Sequence, residues 1–284
     1  MSEELVHVER HDGVVVLTLD EPGSRNAISP QMATQLYAAL DEFEANAQDR
    51  VLVLTGRDPA FCAGANVRRF DEAIGEREAA EEATRLPWGD MDERMAAPPR
   101  ERAEAGFGAV SDTPLRISQV QKPTIAAING YAIGLGLGLA LACDVRIASE
   151  KAEVAEAFVR MGLVPGDGSC WQLPRLIGAS NALLMQYTGD RIPADEALRM
   201  NMVSRVYPHE SLMTETLALA ARLAEGATYA MSLNKYLVQR SWDMGFEESL
   251  RLAQTAQELV RRSHDHKEAV RAFLDKRKPR FEGR

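Results

Sequence analysis

Apolar and polar residues alternate on both sides of Asp12-Gly13, with Val6 and Val8 before the pair and Val14, Val16, Leu17 and Leu19 after it. That spacing predicts a β-hairpin closed by a two-residue turn. Ser29-Pro30 then opens a helix: the serine caps free amides, the proline sits where no amide is needed, and Met32, Leu36, Leu40 and Phe43 recur on one face. Val51 to Leu54, Thr124 to Ile128 and Val145 to Ala148 are short runs without alternation, the mark of strands covered on both faces. Strands and helices alternate to about Ser204–Val206, which predicts stacked βαβ units. Beyond Pro208 only helical periodicity remains, over 211–224, 230–242, 246–262 and 266–277. The chain therefore reads as α/β, with a core over 1–207 and a helical region over 208–284.

Two segments break this rhythm. Between Phe70 and Val120 the chain is charged and rich in Pro and Ala, with Leu86-Pro87-Trp88 its one bulky apolar cluster. It reads either as a solvated helix with a loop or as a lid over a site, placed at about 71–120. From Pro123 to Cys143 no residue is charged, a length sufficient to cross a bilayer. Asn129, Tyr131 and four glycines within it favour a buried strand, turn and helix instead.

Charge and cysteine content narrow the partners. Thirty-three basic against 42 acidic residues give a net charge of −9, so the chain lacks the broad positive field that attracts nucleic acid or anionic membranes. Any anionic ligand must be met by local basic residues. Cys62, Cys143 and Cys170 are odd in number and far apart, which argues against a disulfide framework or a zinc site and fits a reducing cytoplasm. The acidic start, Met1-Ser2-Glu3-Glu4, predicts no secretory leader. No His, Cys or carboxylate cluster has metal-ligand spacing, and Cys62 reads as a small packing residue before a nucleophile.

The chemistry concentrates in two turns of small residues. One is Ala60-Phe61-Cys62-Ala63-Gly64-Ala65-Asn66, after the strand at Val51; the other is Asn129-Gly130-Tyr131-Ala132-Ile133-Gly134-Leu135-Gly136, after the strand at Thr124. Small residues allow close backbone approach, and a helix starting there offers unpaired amides and the positive end of its dipole. Each turn can bind an oxyanion, or can simply pack tightly. Gly134-x-Gly136-x-Gly138 is not the dinucleotide fingerprint, because residue 139 is leucine.

Taken together, and with Leu17 to Pro22, Arg25 to Ser29, Lys122 to Ala132, Ala142 to Ala148, Gly162-Leu163-Val164-Pro165-Gly166 and Thr188-Gly189-Asp190 in the same order, these stretches resemble the crotonase superfamily, the enoyl-CoA hydratase/isomerase family. The resemblance runs from about Val14 to the C-terminus. It implies a crotonase-like spiral of ββα units, a helical C-terminal region that mediates trimers, often paired into hexamers, and an acyl-CoA thioester as ligand. No cofactor is implied beyond the CoA carried by the substrate. By the same carry-over, the backbone amides of Ala65 and Leu135 grip the thioester oxygen, with Gly134 shaping the second turn. Arg25, Ala27 and Ala63 hold the adenine and pantetheine parts of CoA, and Arg68 or Arg69 meets its phosphates or lies on a solvated helix. The basic tail from Lys276 to Arg280 is likewise a solvated helix end or a CoA contact from a neighbouring subunit.

The departure lies in the acids. Typical hydratases of the family carry two glutamates that hold one water, and the matching positions are Gly138 and Phe158, neither of which moves a proton. The stretch from Glu156 to Gly168 is similar to the branch containing epoxyphenylacetyl-CoA isomerases, in which one acid directly follows the Gly-Leu-x-Pro turn. Here Gly166 intervenes and Asp167 comes next. Asp167 is the candidate base, with an apolar setting expected from Phe158, Val164 and Trp171; the competing reading is a turn aspartate that caps the following helix. Glu156, further back along its strand, and Asp71 or Asp112 in the charged segment are the other candidates. One acid suffices for isomerisation, so double-bond or ring isomerisation is favoured over hydration. A protein that binds acyl-CoA without turnover is the third reading.

Overall fold

The structure, a computed structural model, describes residues 3–65 and 108–284. The predicted hairpin is present: β1 (Val6–His11) pairs antiparallel with β2 (Val14–Leu19) around Asp12-Gly13. Helix α1 (Pro30–Ala45) begins as its sequence dictates, with the Ser29 side chain accepting a hydrogen bond from the Met32 amide at 3.2 Å and Pro30 in the first turn. Strands β3 (Val51–Gly56) and β4 (Ala60–Cys62) follow. Two short helices, α2 (Gly108–Ser111) and α3 (Thr113–Ser118), lead to β5 (Thr124–Ile128), β6 (Tyr131–Ile133) and α4 (Leu135–Ala142). The uncharged stretch from Pro123 to Cys143 is thus strand, strand and helix. Among the described residues no helix is long and apolar enough to cross a membrane.

Strands β7 (Val145–Ser149) and β8 (Glu153–Ala155) come next, then a 3₁₀ turn over Ala157–Met161, helices α5 (Ser169–Ile177) and α6 (Ala179–Thr188), β9 (Ile192–Pro193), α7 (Ala194–Arg199) and β10 (Arg205–Tyr207). Four helices end the chain: α8 (Leu212–Ala224), α9 (Thr228–Ser241), α10 (Phe246–Arg261) and α11 (His264–Leu274). One sheet has the order β1-β2-β3-β5-β7-β10, parallel from β2 onward, and a second has the order β4-β6-β8-β9. Successive strands alternate between the sheets, β3 to β4, β5 to β6 and β7 to β8, which is the ββα spiral.

The period of two along each strand splits the interior into two cores. Val15, Leu17, Leu19, Leu52, Leu54, Ala126 and Ile128 face α1, α4 and the small sheet. Their sequence neighbours Val14, Val16, Val51, Val53, Ile125, Ala127 and Ile147 face Leu212, Ala220 and Ala224 of α8. The charged segment expected over 71–120 ends earlier than its composition suggests. Val110, Ile117 and Val120 are buried in the first core, because α2 and α3 lay an apolar face on α1.

Candidate functional site

The site begins where the two small-residue turns touch. A Cβ added to Gly64 would lie 2.8 Å from the Ile133 carbonyl oxygen and 3.8 Å from the Leu135 nitrogen, and one added to Gly136 would overlap the Cys62 carbonyl. Only glycine lets backbone approach backbone this closely. Gly64 and Gly134 also have φ of +102° and +52°, a region that side chains disfavour. The turns are held in register from both sides. The Ile28 amide donates to the Gly64 carbonyl at 2.8 Å, Ile28 bridges Ala65, and the Gly134 amide donates to the Ala155 carbonyl at 2.8 Å. Leu135 is the first residue of α4, so its amide has no acceptor within the helix. Neither it nor the Ala65 amide has a backbone acceptor among the described residues.

Behind the first turn lies the loop of Arg25 to Ala27. Arg25 and Asn26 both adopt left-handed conformations, with φ of 56° and 59°. The buried Asn26 side chain holds them there: it donates to the Arg57 and Ala60 carbonyls at 2.7 Å each and accepts from the Glu21 amide at 2.9 Å. The Ala63 amide donates to the Arg25 carbonyl at 3.0 Å, so Arg25, Ala27 and Ala63 form one edge. The exposed Arg25 guanidinium lies 5.6 Å from the Tyr131 ring centroid, and that of Arg191 lies 5.0 Å from it. Cys62, buried beneath the turn, has its thiol pushed up to about 12 by desolvation, which suits packing and not nucleophilic attack. Arg68, Arg69 and Asp71 lie outside the described residues.

Across from the amides, Phe158 closes over the second turn; its ring is 3.3 Å from where a Gly134 Cβ would stand. Asp167 is 3% exposed and packs against α4 at Gly138, where an added Cβ would fall 2.6 Å from Oδ2. Gly138 is three residues along the helix from Leu135, a rise of about 4.5 Å. The two readings of Asp167 are both realised, one by each oxygen. Oδ1 accepts from the Ser169 amide at 3.1 Å, while Oδ2 is buried without a partner. Desolvation raises the Asp167 carboxyl above its ordinary range, against the turn amides that lower it.

Three expectations change here. Glu156, taken as too far along its strand, directly follows the Ala155 carbonyl that holds Gly134; it is fully buried, and Asp167 acts on its charge. Val164, expected to desolvate the acid, is 83% exposed, because the 3₁₀ turn carries residues 159–164 outward. Trp171 stacks with Trp242, centroids 4.9 Å apart, and lines a cavity of about 410 Å³ between α4, α5 and α9 whose walls include neither Ala65, Leu135 nor Asp167. Asp112 is exposed ahead of α3. In the tail, Arg277 pairs with Glu268 at 2.6 and 3.0 Å and Lys278 with Glu225 at 2.6 Å. The signal that could have found Glu156 is its position at the end of a short strand that pairs with the strand entering the second turn.

A ββα spiral with two glycine-shaped turns meeting beside a buried carboxyl defines an enzyme of the crotonase fold. The sequence profile of the enoyl-CoA hydratase/isomerase family matches residues 9–88 and 88–284, and the chain belongs to that family. It is 32% identical to the 1,2-epoxyphenylacetyl-CoA isomerase of Escherichia coli K12 over 283 residues, covering 99% of this chain and 98% of the other. It is 30% identical to the crotonyl-CoA hydratase of Syntrophomonas wolfei, over 99% of both chains. The crystal structure of an enoyl-CoA hydratase from Bacillus anthracis superposes with a TM-score of 0.83 at 30% identity, over 99% of this chain and 100% of the other.

Proposed function

We propose that the protein binds an acyl-CoA thioester and isomerises its acyl group, shifting a double bond or rearranging a ring through an enolate. The observation that carries this reading is the contact of the two turns opposite one tightly packed carboxyl, Asp167. The Ala65 and Leu135 amides receive the thioester oxygen. Negative charge builds there when a proton leaves the neighbouring carbon, and one preorganised donor of this kind is worth about 10² to 10³ in rate. Asp167 takes that proton and returns it elsewhere on the enolate. Its burial suits the task, since a raised carboxyl is a stronger base than an ordinary aspartate and takes the substrate proton more readily. Leu135 and Phe158 enclose the acyl group, the backbone of Arg25, Ala27 and Ala63 holds the adenine and pantetheine parts of CoA, and Arg68 or Arg69 meets its phosphates. The chemistry draws on no cofactor beyond the CoA of the substrate.

Hydration is the second reading, and one observation favours it: Glu156 is a second carboxyl beside the first. Incubation with 2-enoyl-, 3-enoyl- and saturated acyl-CoAs in deuterated water separates the two. The expected outcome is deuterium uptake with a double-bond shift and no hydroxyacyl product, abolished by Asp167→Asn; hydroxyacyl-CoA as the main product assigns hydration instead.

We propose further that the chain assembles as a homotrimer or a pair of trimers. Leu184 and Tyr187 on α6 and Phe246, Phe273 and Leu274 in the last helices stay exposed, which supports burial against further copies. Light scattering that returns a single-chain mass of 31.3 kDa rules this out. Two buried free thiols and one exposed one support a cytoplasmic location.

A further inference from the structure

Among the described residues, most buried side-chain oxygens without a partner belong to two carboxyls and the turn beside them. They are both carboxyl oxygens of Glu156, Oδ2 of Asp167 and the Ser169 hydroxyl; the others are Oε1 of Gln172, on the wall of the Trp171 cavity, and the Thr216 hydroxyl. Two backbone relations fix the place of the carboxyls. The Ala155 carbonyl is bonded to the Gly134 amide, which sets Glu156 at the start of α4, and Asp167 packs against Gly138 in its second turn. The carboxyls therefore flank the same end of one helix. Residues 135–142 are all Leu, Gly or Ala, so α4 offers neither of them a titratable partner. The Asp167 charge acts on Glu156, and both carboxyls act on the neighbouring Cys170 thiol; Glu153, on the strand that leads to Glu156, pairs away with Arg191 at 3.1 Å.

An ionised carboxylate buried without a donor costs several kcal/mol, so a group in that position is held neutral. A neutral carboxyl in turn carries a hydroxyl that needs an acceptor, and the unpartnered oxygen of its neighbour is one. We propose that Glu156 and Asp167 form a carboxyl pair holding one proton between them, with Glu156 the protonated member that positions Asp167 and sets its basicity. Glu156 is a positioning residue: it acts through Asp167. Burial, and then the Asp167 charge, raise its carboxyl well above the ordinary range. When Asp167 accepts the substrate proton, both members are briefly neutral, and return of that proton restores the pair. Atoms and charge balance without any other group.

This inference rests on Asp167 being the base, so the test reads the two separately. Infrared spectra of the native protein, without substrate, are followed across pH for the carbonyl stretch of a protonated carboxyl. Deuterium exchange into an acyl-CoA is followed across the same range for native protein, Glu156→Gln and Asp167→Asn. The expected result is a protonated-carboxyl band at pH 7 in native protein that is lost in Glu156→Gln. The variant should also lose the alkaline limb of the native rate profile, with kcat down about tenfold and KM within about twofold. A native protein with no such band at pH 7, or a Glu156→Gln profile that superposes on the native one, overturns the pair. Exchange that survives Asp167→Asn overturns the base assignment, and the role given to Glu156 falls with it. The native band needs no variant, so misfolding of Glu156→Gln leaves the proposal exposed to refutation.

Discussion

The two walls of the site are built from different materials. On one side stand main-chain amides, held by strand pairing and by contacts so close that only glycine fits. On the other stand carboxyls at the end of a strand and in a turn, whose protonation depends on burial and, for Glu156, on the Asp167 charge. On the first wall a substitution acts through the backbone, since a side chain at Gly64 or Gly136 would overlap the facing turn. Under the proposed function the second would keep its backbone through substitution and lose its chemistry with a single oxygen.

The largest expected effect falls on the carboxyl wall. Asp167→Asn should lower kcat by about 10² to 10⁴ with KM for the thioester little changed, since the amide cannot take a proton. A comparable fall in affinity, read by calorimetry with a non-reacting acyl-CoA, would mean that Asp167 binds and does not react. The backbone wall should come next. Gly64→Ala puts a methyl group 2.8 Å from the Ile133 carbonyl at a φ of +102°, so the turn must shift and the Ala65 amide with it. Activity should drop about 10² to 10³, the worth of one donor, and stability by about 1–3 kcal/mol in urea titration. Unchanged kcat in this variant would remove the amides from the mechanism.

Gly138→Ala joins the walls and should have a smaller effect. In a helix interior, alanine is better than glycine by about 0.5–1 kcal/mol. Here the methyl group meets Asp167 Oδ2 at 2.6 Å, so the carboxyl must turn. The expected outcome is kcat down about tenfold while the denaturation midpoint stays close to native, because propensity and crowding oppose each other. A stabilised variant with full activity would place Asp167 away from the reacting atoms.

What the sequence made legible follows the same division. The amide wall is a local property: apolar strand, small residues and a helix start lie within about fifteen positions, and the backbone does the rest. The hairpin at Asp12-Gly13, the Ser29 cap and the two turns were all readable on that ground. The carboxyl wall is not local. Whether Asp167 faces inward depends on the path of a 3₁₀ turn that sends Val164 outward and returns Asp167 to Gly138. Glu156 lies eleven residues before Asp167, and a charged residue at a strand end reads as exposed until the pairing of β6 with β8 is known. The burial of Val110, Ile117 and Val120 escaped for a related reason: they sit among polar neighbours, and only docking on α1 reveals their common face.

The smallest effect is on stability, and its sign separates a protonated Glu156 from an ionised one. In the unfolded chain Glu156 titrates near its ordinary value of 4.5, whereas burial holds it well above that in the native state. Over the interval between the two values the native state binds a proton that the unfolded state has released, so stability falls as pH rises through it. Below the interval both states are protonated and the term is constant. Glutamine occupies the same volume and never ionises, so Glu156→Gln escapes the loss. Its Tm relative to native protein should therefore climb by a few degrees between pH 4 and pH 8 in scanning calorimetry. The opposite trend, with the native protein gaining on the variant as pH rises, would mean that Glu156 is ionised in the fold and held by a donor, and the asymmetry between the two walls would then be one of geometry alone.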